Sequence, residues 1–142
     1  INRHIAPHLK ELATQFSVVT LLGPRQSGKT TLAQSVFPGY TYVNLELPKF
    51  RRLAQSDPEL FFKHYPAPVI IDEVQHVPEL FSFIQVFSDQ NKQKGLFILT
   101  GSHQPKLRSS IAQSLAGRTA LLTLLPLSIS ELTEAGFSYE RD

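Results

Sequence analysis

The feature that most constrains the fold is a glycine-containing loop set between an apolar run and a helical pattern. The loop, residues 23–30, reads Gly-Pro-Arg-Gln-Ser-Gly-Lys-Thr and satisfies the pattern G-x-x-x-x-G-K-[ST] in full. Residues 17–22 before it form a β-rich apolar run, and residues 30–36 after it have a helical composition. The sequence therefore predicts a strand, a glycine loop and a helix in direct succession.

The residue types in this loop suit the phosphates of a nucleotide. Two glycines, Gly23 and Gly28, let the backbone curl so that its N–H groups point at phosphate oxygens. Lys29 supplies a positive charge for the β- and γ-phosphates, Thr30 offers a hydroxyl to Mg²⁺, and the start of the helix adds its positive dipole end. The residues that we assign to binding a nucleotide with Mg²⁺ are Gly23, Pro24, Arg25, Gln26, Ser27, Gly28, Lys29, Thr30 and Thr31.

Strand candidates and helical patterns alternate along the rest of the chain. After the loop strand, further strand candidates lie at residues 41–45, 69–71, 96–99 and 120–125, and we expect the last three to be buried strands. Helical patterns occupy residues 3–15, 30–36, 50–56, 61–65, 79–88, 106–115 and 128–133. This alternation predicts an α/β fold with a mostly parallel sheet between two layers of helices.

A pair of acidic residues follows the strand candidate at residues 69–71. Parallel α/β sheets bind ligands at the carboxyl ends of their strands, and Asp72 and Glu73 come directly at that end. Asp72 can hold the water shell of Mg²⁺ opposite Thr30, and Glu73 can orient and deprotonate an attacking water. Two solvated acids are the alternative, but their place downstream of a complete phosphate-binding loop favours the catalytic interpretation.

Polar residues also end two other strand candidates. After residues 96–99, either Thr100 or Ser102 could hydrogen-bond the γ-phosphate or its attacking water, or both could simply cap a glycine-containing turn. Asn44 ends the second strand candidate, where it either has a structural role or holds Glu73 until a partner binds. The sequence leaves both pairs of alternatives open.

Arg118 follows a glycine just before the fifth strand candidate. A fixed guanidinium there could neutralise charge on a transferring phosphoryl group, often on the nucleotide of a neighbouring subunit. A lone arginine at the C-terminus of a helix more commonly pairs with the helix dipole or is solvated. Spacing alone leaves both roles open for Arg118, and Arg25 in the loop fits either a phosphate contact or a brace to a neighbouring residue.

The composition is that of an ordinary globular domain. Of 142 residues, 42% are apolar and 18% charged, and the net charge of +2 does not predict nucleic-acid binding. No apolar run is long enough for a membrane helix, and no cysteine is available for disulfides, so we expect a cytoplasmic protein without membrane attachment. The histidines lack metal-ligand spacing, and the thin basic stripe of Lys106, Arg108 and Arg118 fits a solvated helix face.

Six stretches, in order along nearly the whole chain, are together far more specific than the loop alone. They are residues 22–32, 42–46, 70–75, 99–102, 115–118 and 126–132. These stretches resemble the AAA+-type P-loop ATPases of bacteria and archaea that are usually fused to a C-terminal domain of unknown function. The resemblance implies the strand order 5-1-4-3-2, ATP rather than GTP, an arginine-finger role for Arg118 and a switch role for Asn44.

The resemblance also implies that residues 1–142 are the nucleotide-binding domain of a longer protein. The chain begins at Ile1 and contains no methionine, and family members usually extend well beyond this length. The AAA+ helical lid is not recognisable in the last residues. We therefore expect a missing C-terminal region to define a protein or DNA partner, and we expect a homo-oligomer if Arg118 acts between subunits.

We accordingly predict an ATPase that hydrolyses the β–γ bond, with Glu73 as the base and Lys29, Thr30 and Asp72 holding MgATP. Arg118 and Thr100 are the further catalytic candidates. One alternative is a P-loop kinase that transfers the γ-phosphoryl group to a small acceptor, although the Asp72-Glu73 pair suits water better. Another is a nucleotide-gated binding module with negligible turnover. A GTPase is disfavoured, because no N-K-x-D guanine-reading element is present.

Overall fold

A parallel five-stranded sheet forms the centre of the computed structural model, which describes residues 5–24, 28–91, 93–102, 104–115 and 119–123, with side chains from Pro7 onward. Its strands are β1 Val18–Leu22, β2 Thr41–Asn44, β3 Val69–Asp72, β4 Phe97–Gly101 and β5 Thr119–Thr123. They lie in the order β2-β3-β4-β1-β5, and every neighbouring pair is parallel. The predicted order 5-1-4-3-2 is therefore confirmed, read from the opposite edge.

Helices connect the strands. They are α1 Ile5–Ala13, α2 Lys29–Val36, α3 Pro48–Ser56, α4 Pro58–His64, α5 Leu80–Asn91 and α6 Pro105–Leu115. A short 3₁₀ helix, Val74–His76, follows β3 and was not predicted. Helix α4 begins earlier than the predicted turn at residues 61–65, because Asp57 accepts a hydrogen bond from the Leu60 amide at 3.1 Å and Pro58 fits the first helical position. The predicted helix at residues 128–133 lies outside the described residues.

The apolar core is divided by the sheet into two layers. On one face, Leu9 of α1 and Leu32 of α2 pack in the same buried cluster as Ile70 and Ile98 of the central strands. On the other face, α3 to α6 cover a larger cluster that includes Ile71 and Phe97. Consecutive strand residues thus enter opposite clusters, as the alternation of side chains along a strand requires. This arrangement confirms the prediction of helices on both faces.

Burial differs between the central strands and the edge strands. All residues of β1, β3 and β4 are buried, whereas only Ala120 and Leu122 are buried in β5. The expectation that the fifth strand is buried is therefore wrong for three of its five residues, because β5 pairs with β1 at the edge of the sheet. None of the helices in the described ranges combines the length and apolar character needed to cross a bilayer.

The carboxyl ends of the strands converge at one edge of the sheet. Leu22 is level with Gly101 across β1 and β4, and Asn44 is level with Asp72 across β2 and β3. Backbone hydrogen bonds continue just beyond the strands, where Gly23 N donates to Gly101 O at 3.1 Å. The sheet therefore delivers the glycine loop and the acidic pair to the same end of the molecule.

The aromatic packing of Phe97 generates a test of this core. Phe97 is fully buried, and its ring meets those of Phe62 and Phe87 edge-on, with centroids 5.6 and 5.5 Å away. We predict that Phe97→Ala lowers the free energy of unfolding by about 3–5 kcal/mol, because it removes buried area and leaves a cavity. The matched control is Val86→Ala in α5, where Val86 is 53% exposed and the expected change is within about 0.5 kcal/mol. Urea unfolding measures both, and equal effects would contradict this account of the core.

Candidate functional site

The glycine loop leads from β1 directly into α2. Gly28 adopts a left-handed conformation, with φ of 88°, immediately before the helix begins at Lys29. A Cβ at Gly28 would meet no neighbouring atom, so glycine is needed here for its backbone conformation and not for space. The first turn of α2 presents N–H groups that have no partner within the helix. Arg25, Gln26 and Ser27 lie outside the described residues.

The ammonium group of Lys29 is buried but only loosely held. Lys29 is 3% exposed, and its Nζ lies 3.6 Å from Glu73 Oε2 and 3.5 Å from the carbonyl oxygen of Pro24. Both distances exceed the 2.7–2.9 Å of a strong charge-assisted hydrogen bond. The side chain therefore supplies a positive charge that a closer anion could engage more strongly.

The carboxylate of Asp72 is the most heavily hydrogen-bonded group of the site. Asp72 is 3% exposed, and its Oδ2 accepts from Thr30 Oγ1 at 2.8 Å and from the Tyr42 hydroxyl at 2.6 Å. Its Oδ1 accepts from Thr100 Oγ1. A buried carboxylate requires such donors to offset its desolvation. The structure thus brings Thr30 and Asp72 together, and their shared role as magnesium ligands stays a prediction.

Tyr42 is a site residue that sequence reasoning missed. Burial raises the pKa of its hydroxyl, and the hydrogen bond to Asp72 and the charges of Asp72 and Glu73 raise this pKa further. The hydroxyl therefore remains a protonated donor at neutral pH. The available signal was the position of Tyr42 two residues before Asn44, which places both side chains on the same face of β2.

Glu73 has an unusual backbone conformation and a carboxylate that is hydrogen-bonded through one of its two oxygens. Its φ of 58° lies in the left-handed region, which non-glycine residues rarely adopt. Its Oε1 accepts from Gln75 Nε2 at 2.9 Å, and its backbone N donates to Thr100 Oγ1 at 3.1 Å. Gln75 Oε1 in turn accepts from the Ser102 amide at 3.2 Å. Gln75 is the second residue to which sequence reasoning assigned no role.

The remaining candidates take different places. Asn44 Oδ1 accepts from the Glu46 amide at 2.9 Å and closes a turn, whereas Glu73 is bonded by Gln75, so the switch role of Asn44 stays a prediction. The hydroxyl of Ser102 is buried and lacks a hydrogen-bond partner within the described part of the chain. Arg118 lies outside the described residues, and its role stays a prediction.

The glycine loop and the carboxyl ends of β2 and β3 surround one open cleft of about 540 Å³ at the carboxyl edge of the sheet. Its lining residues are Gly28, Lys29, Thr30, Thr31, Tyr42, Asn44, Asp72 and Glu73. The volume lies in the range of small-ligand sites. A buried cation, the N-terminus of a helix and hard oxygen donors together suit a polyphosphate and a divalent cation.

The Tyr42 hydroxyl yields a second prediction. Tyr42→Phe keeps the ring and removes one donor from the buried Asp72 carboxylate, so we expect the free energy of unfolding to fall by about 1–2 kcal/mol. The matched control is Tyr65→Phe, because the Tyr65 hydroxyl makes no hydrogen bond within the described ranges, although its ring packs 5.3 Å from that of Phe61. Urea unfolding compares the two variants. If they are equally stable, the Tyr42–Asp72 hydrogen bond contributes nothing.

Comparison with solved structures supports the fold. A Walker-type ATPase of Pyrococcus abyssi superposes with a TM-score of 0.64 at 17% identity, over 94% of this chain and 56% of that protein. A DNA replication initiation factor superposes with a TM-score of 0.54 at 15% identity, over 87% of this chain and 46% of that protein. At these identities the similarity concerns the fold alone.

Comparison of sequences identifies the family. Two uncharacterized proteins, from Mycobacterium bovis and Mycobacterium tuberculosis, are each 35% identical over 134 residues, which is 92% of this chain. The chain spans only 30% of the length of these curated relatives. Residues 15–133 match the family model described as AAA domain. This match covers the glycine loop, the acidic pair and the whole sheet, and the chain therefore belongs to the AAA domain family of P-loop NTPases.

Proposed function

We propose that this domain binds MgATP in the cleft and hydrolyses the β–γ phosphoanhydride bond to drive or switch a partner process. The observation that carries the proposal is the convergence of four side chains, Lys29, Thr30, Asp72 and Glu73, on one cleft. Thr30 is hydrogen-bonded to Asp72, and Lys29 is paired with Glu73. Each pair joins one residue of the glycine loop to one residue at the end of β3, so a single ligand can reach all four.

The glycine loop would hold the phosphates. The first-turn N–H groups of α2 and the positive end of its dipole favour anions, and Lys29 stands at the first position of this helix. Because Lys29 holds its present partners only at 3.5–3.6 Å, the β- and γ-phosphates of ATP can replace them with shorter bonds.

The residues present also fit a magnesium ion. Thr30 Oγ1 and Asp72 Oδ2 lie 2.8 Å apart, and hydroxyl and carboxylate oxygens are the donors that Mg²⁺ prefers. Thr30 and Asp72 would hold the ion, and hydrogen bonds from Tyr42 and Thr100 fix the carboxylate that does so. When bound, Mg²⁺ neutralises the negative charge of the β- and γ-phosphates.

Glu73 would act as the general base. The oxygen of a water forms a bond to the γ-phosphorus as the bond from that phosphorus to the bridging oxygen breaks, and ADP leaves with the electron pair. One proton of the water passes to the Glu73 carboxylate, which later returns it to solvent. Thr100 has no exposed surface and contacts both Asp72 and the Glu73 amide, so we propose that it orients these residues and does not touch the phosphate.

We also propose roles for Arg118 and for regions of the protein outside residues 1–142. Because the chain spans 30% of its curated relatives, we propose that residues 1–142 are one nucleotide-binding domain and that additional regions select the protein or DNA partner. Arg118 would complete the site of an adjacent subunit in a homo-oligomer, where an arginine supplied in trans can be worth about 10³–10⁵ in rate.

The phosphate-binding role of Lys29 predicts the effect of its removal. Lys29→Ala should weaken MgATP binding by roughly 100-fold or more, because the phosphates then enter a partly buried cradle without their counter-charge. The control is Lys94→Ala, which removes an exposed lysine just before β4, at the opposite edge of the sheet. Calorimetric titration of both full-length variants with MgATP measures the dissociation constants. Wild-type affinity in the Lys29 variant would contradict the assignment of the loop.

The general-base role of Glu73 predicts a separation of binding from turnover. Glu73→Gln is isosteric, so MgATP should still bind while the rate of phosphate release falls by about 10²–10⁴-fold. The control is Glu11→Gln on the exposed surface of α1. The assay uses the full-length protein, with and without DNA and without any phosphoryl acceptor. An unchanged rate would exclude Glu73 as the base, and an absence of phosphate release in the wild type would favour a kinase or a binding module.

A further inference from the structure

Gln75 lies between the ends of two neighbouring strands and bonds to both. It belongs to the 3₁₀ helix Val74–His76 that follows β3, and its Nε2 donates to Glu73 Oε1 at 2.9 Å. Its Oε1 accepts from the amide of Ser102, just after β4, at 3.2 Å. A backbone N–H can only donate, so the oxygen of the Gln75 amide must face Ser102 and its NH₂ group must face Glu73. The orientation of the side chain is thereby fixed.

The two contacts to the Glu73 carboxylate differ in length and in kind. Gln75 bonds Oε1 at 2.9 Å, whereas Lys29 approaches Oε2 only to 3.6 Å. A bound phosphate would compete with Glu73 for the Lys29 ammonium group. It would not compete for Gln75, because Gln75 does not line the cleft. Withdrawal of Lys29 would therefore free Oε2 and leave Oε1 attached to Gln75.

The space that Gln75 occupies depends on a glycine. A Cβ on Gly101 would lie 3.0 Å from Gln75 Oε1 and 2.7 Å from Leu107 Cδ2, so a side chain at this position would require both neighbours to shift. Glycine at the end of β4 thus permits the amide to reach the backbone of Ser102. The left-handed backbone of Glu73 turns the chain at the same place, so that residues 73 and 75 face each other.

We infer that Gln75 is a positioning residue for ATP hydrolysis, whose amide holds one carboxylate oxygen of Glu73 and so directs the other at the attacking water. The inference rests on the proposed function, because it assumes that Glu73 is the base. Gln75 acts only through Glu73 and does not contact the substrate. The positioning of Glu73 by Gln75 does not involve Asn44, whose side chain accepts a hydrogen bond from the Glu46 amide.

Two variants of the full-length protein separate positioning of Glu73 from bracing of Ser102. Gln75→Leu removes both hydrogen bonds, whereas Gln75→Glu keeps an acceptor for the Ser102 amide and loses the donor to Glu73. Both should lower kcat by about 10–100-fold with the MgATP dissociation constant changed by less than about threefold, because a displaced base costs rate and not binding. Near wild-type kcat in Gln75→Glu would overturn the inference. Gln90→Glu, exposed on α5, controls for the added charge.

A double-mutant comparison distinguishes an effect through Glu73 from a general effect on the fold. In the Glu73→Gln background, Gln75→Leu should slow phosphate release by less than about twofold, because the residue through which it acts is already absent. The full single-variant effect in that background would overturn the inference. If Glu73→Gln itself left the rate unchanged, the proposed function would fail. If Glu73→Gln is slow but Gln75→Glu is as fast as the wild type, the positioning role of Gln75 is wrong and the proposed function stands.

Discussion

The site depends on one buried charge, the carboxylate of Asp72, and on the three hydroxyl groups that compensate it. Those hydroxyls come from three different elements, with Thr30 in α2, Tyr42 in β2 and Thr100 in β4. A buried carboxylate is stable only when its oxygens are hydrogen-bonded, so the native arrangement must keep all three elements in place around β3. The hydrogen bonds that stabilise this charge therefore also hold the glycine loop next to the strand that leads into the acidic pair.

A second network holds Glu73, and it is built differently. Asp72 accepts hydrogen bonds from neutral hydroxyl groups. Glu73 accepts one hydrogen bond from an amide and has one ammonium group 3.6 Å away. Its left-handed backbone stores conformational energy, which the contacts of Thr100 and Gln75 offset. The two adjacent acids thus occupy environments suited to different tasks, since one is fixed in place and the other can exchange a partner.

The site residues whose positions follow from the sheet topology were predicted from the sequence. Those that join the site through side-chain hydrogen bonds between strands were missed. The loop of residues 23–30 and the Asp72-Glu73 pair meet because all strands run in parallel and share one carboxyl edge. Tyr42 and Gln75 were not found, because a hydrogen bond across two strands depends on rotamers and on register that local patterns do not encode. The partial burial of β5 was missed for a related reason, since a short apolar segment such as residues 120–125 looks the same in the centre and at the edge of a sheet.

The close approach at Gly101 has a mechanical consequence. A Cβ at this position would lie 2.7 Å from Cδ2 of Leu107, a member of the apolar core on α6, and 3.0 Å from Oε1 of Gln75. The apolar core and the polar network around Glu73 therefore come close together at Gly101. Protein interiors are densely packed and transmit small displacements, so a change in volume beneath α6 can reach the Glu73 carboxylate through Gln75, which does not line the cleft. The geometry of this site is therefore sensitive to the repacking of core residues, such as Leu107, that do not line the cleft.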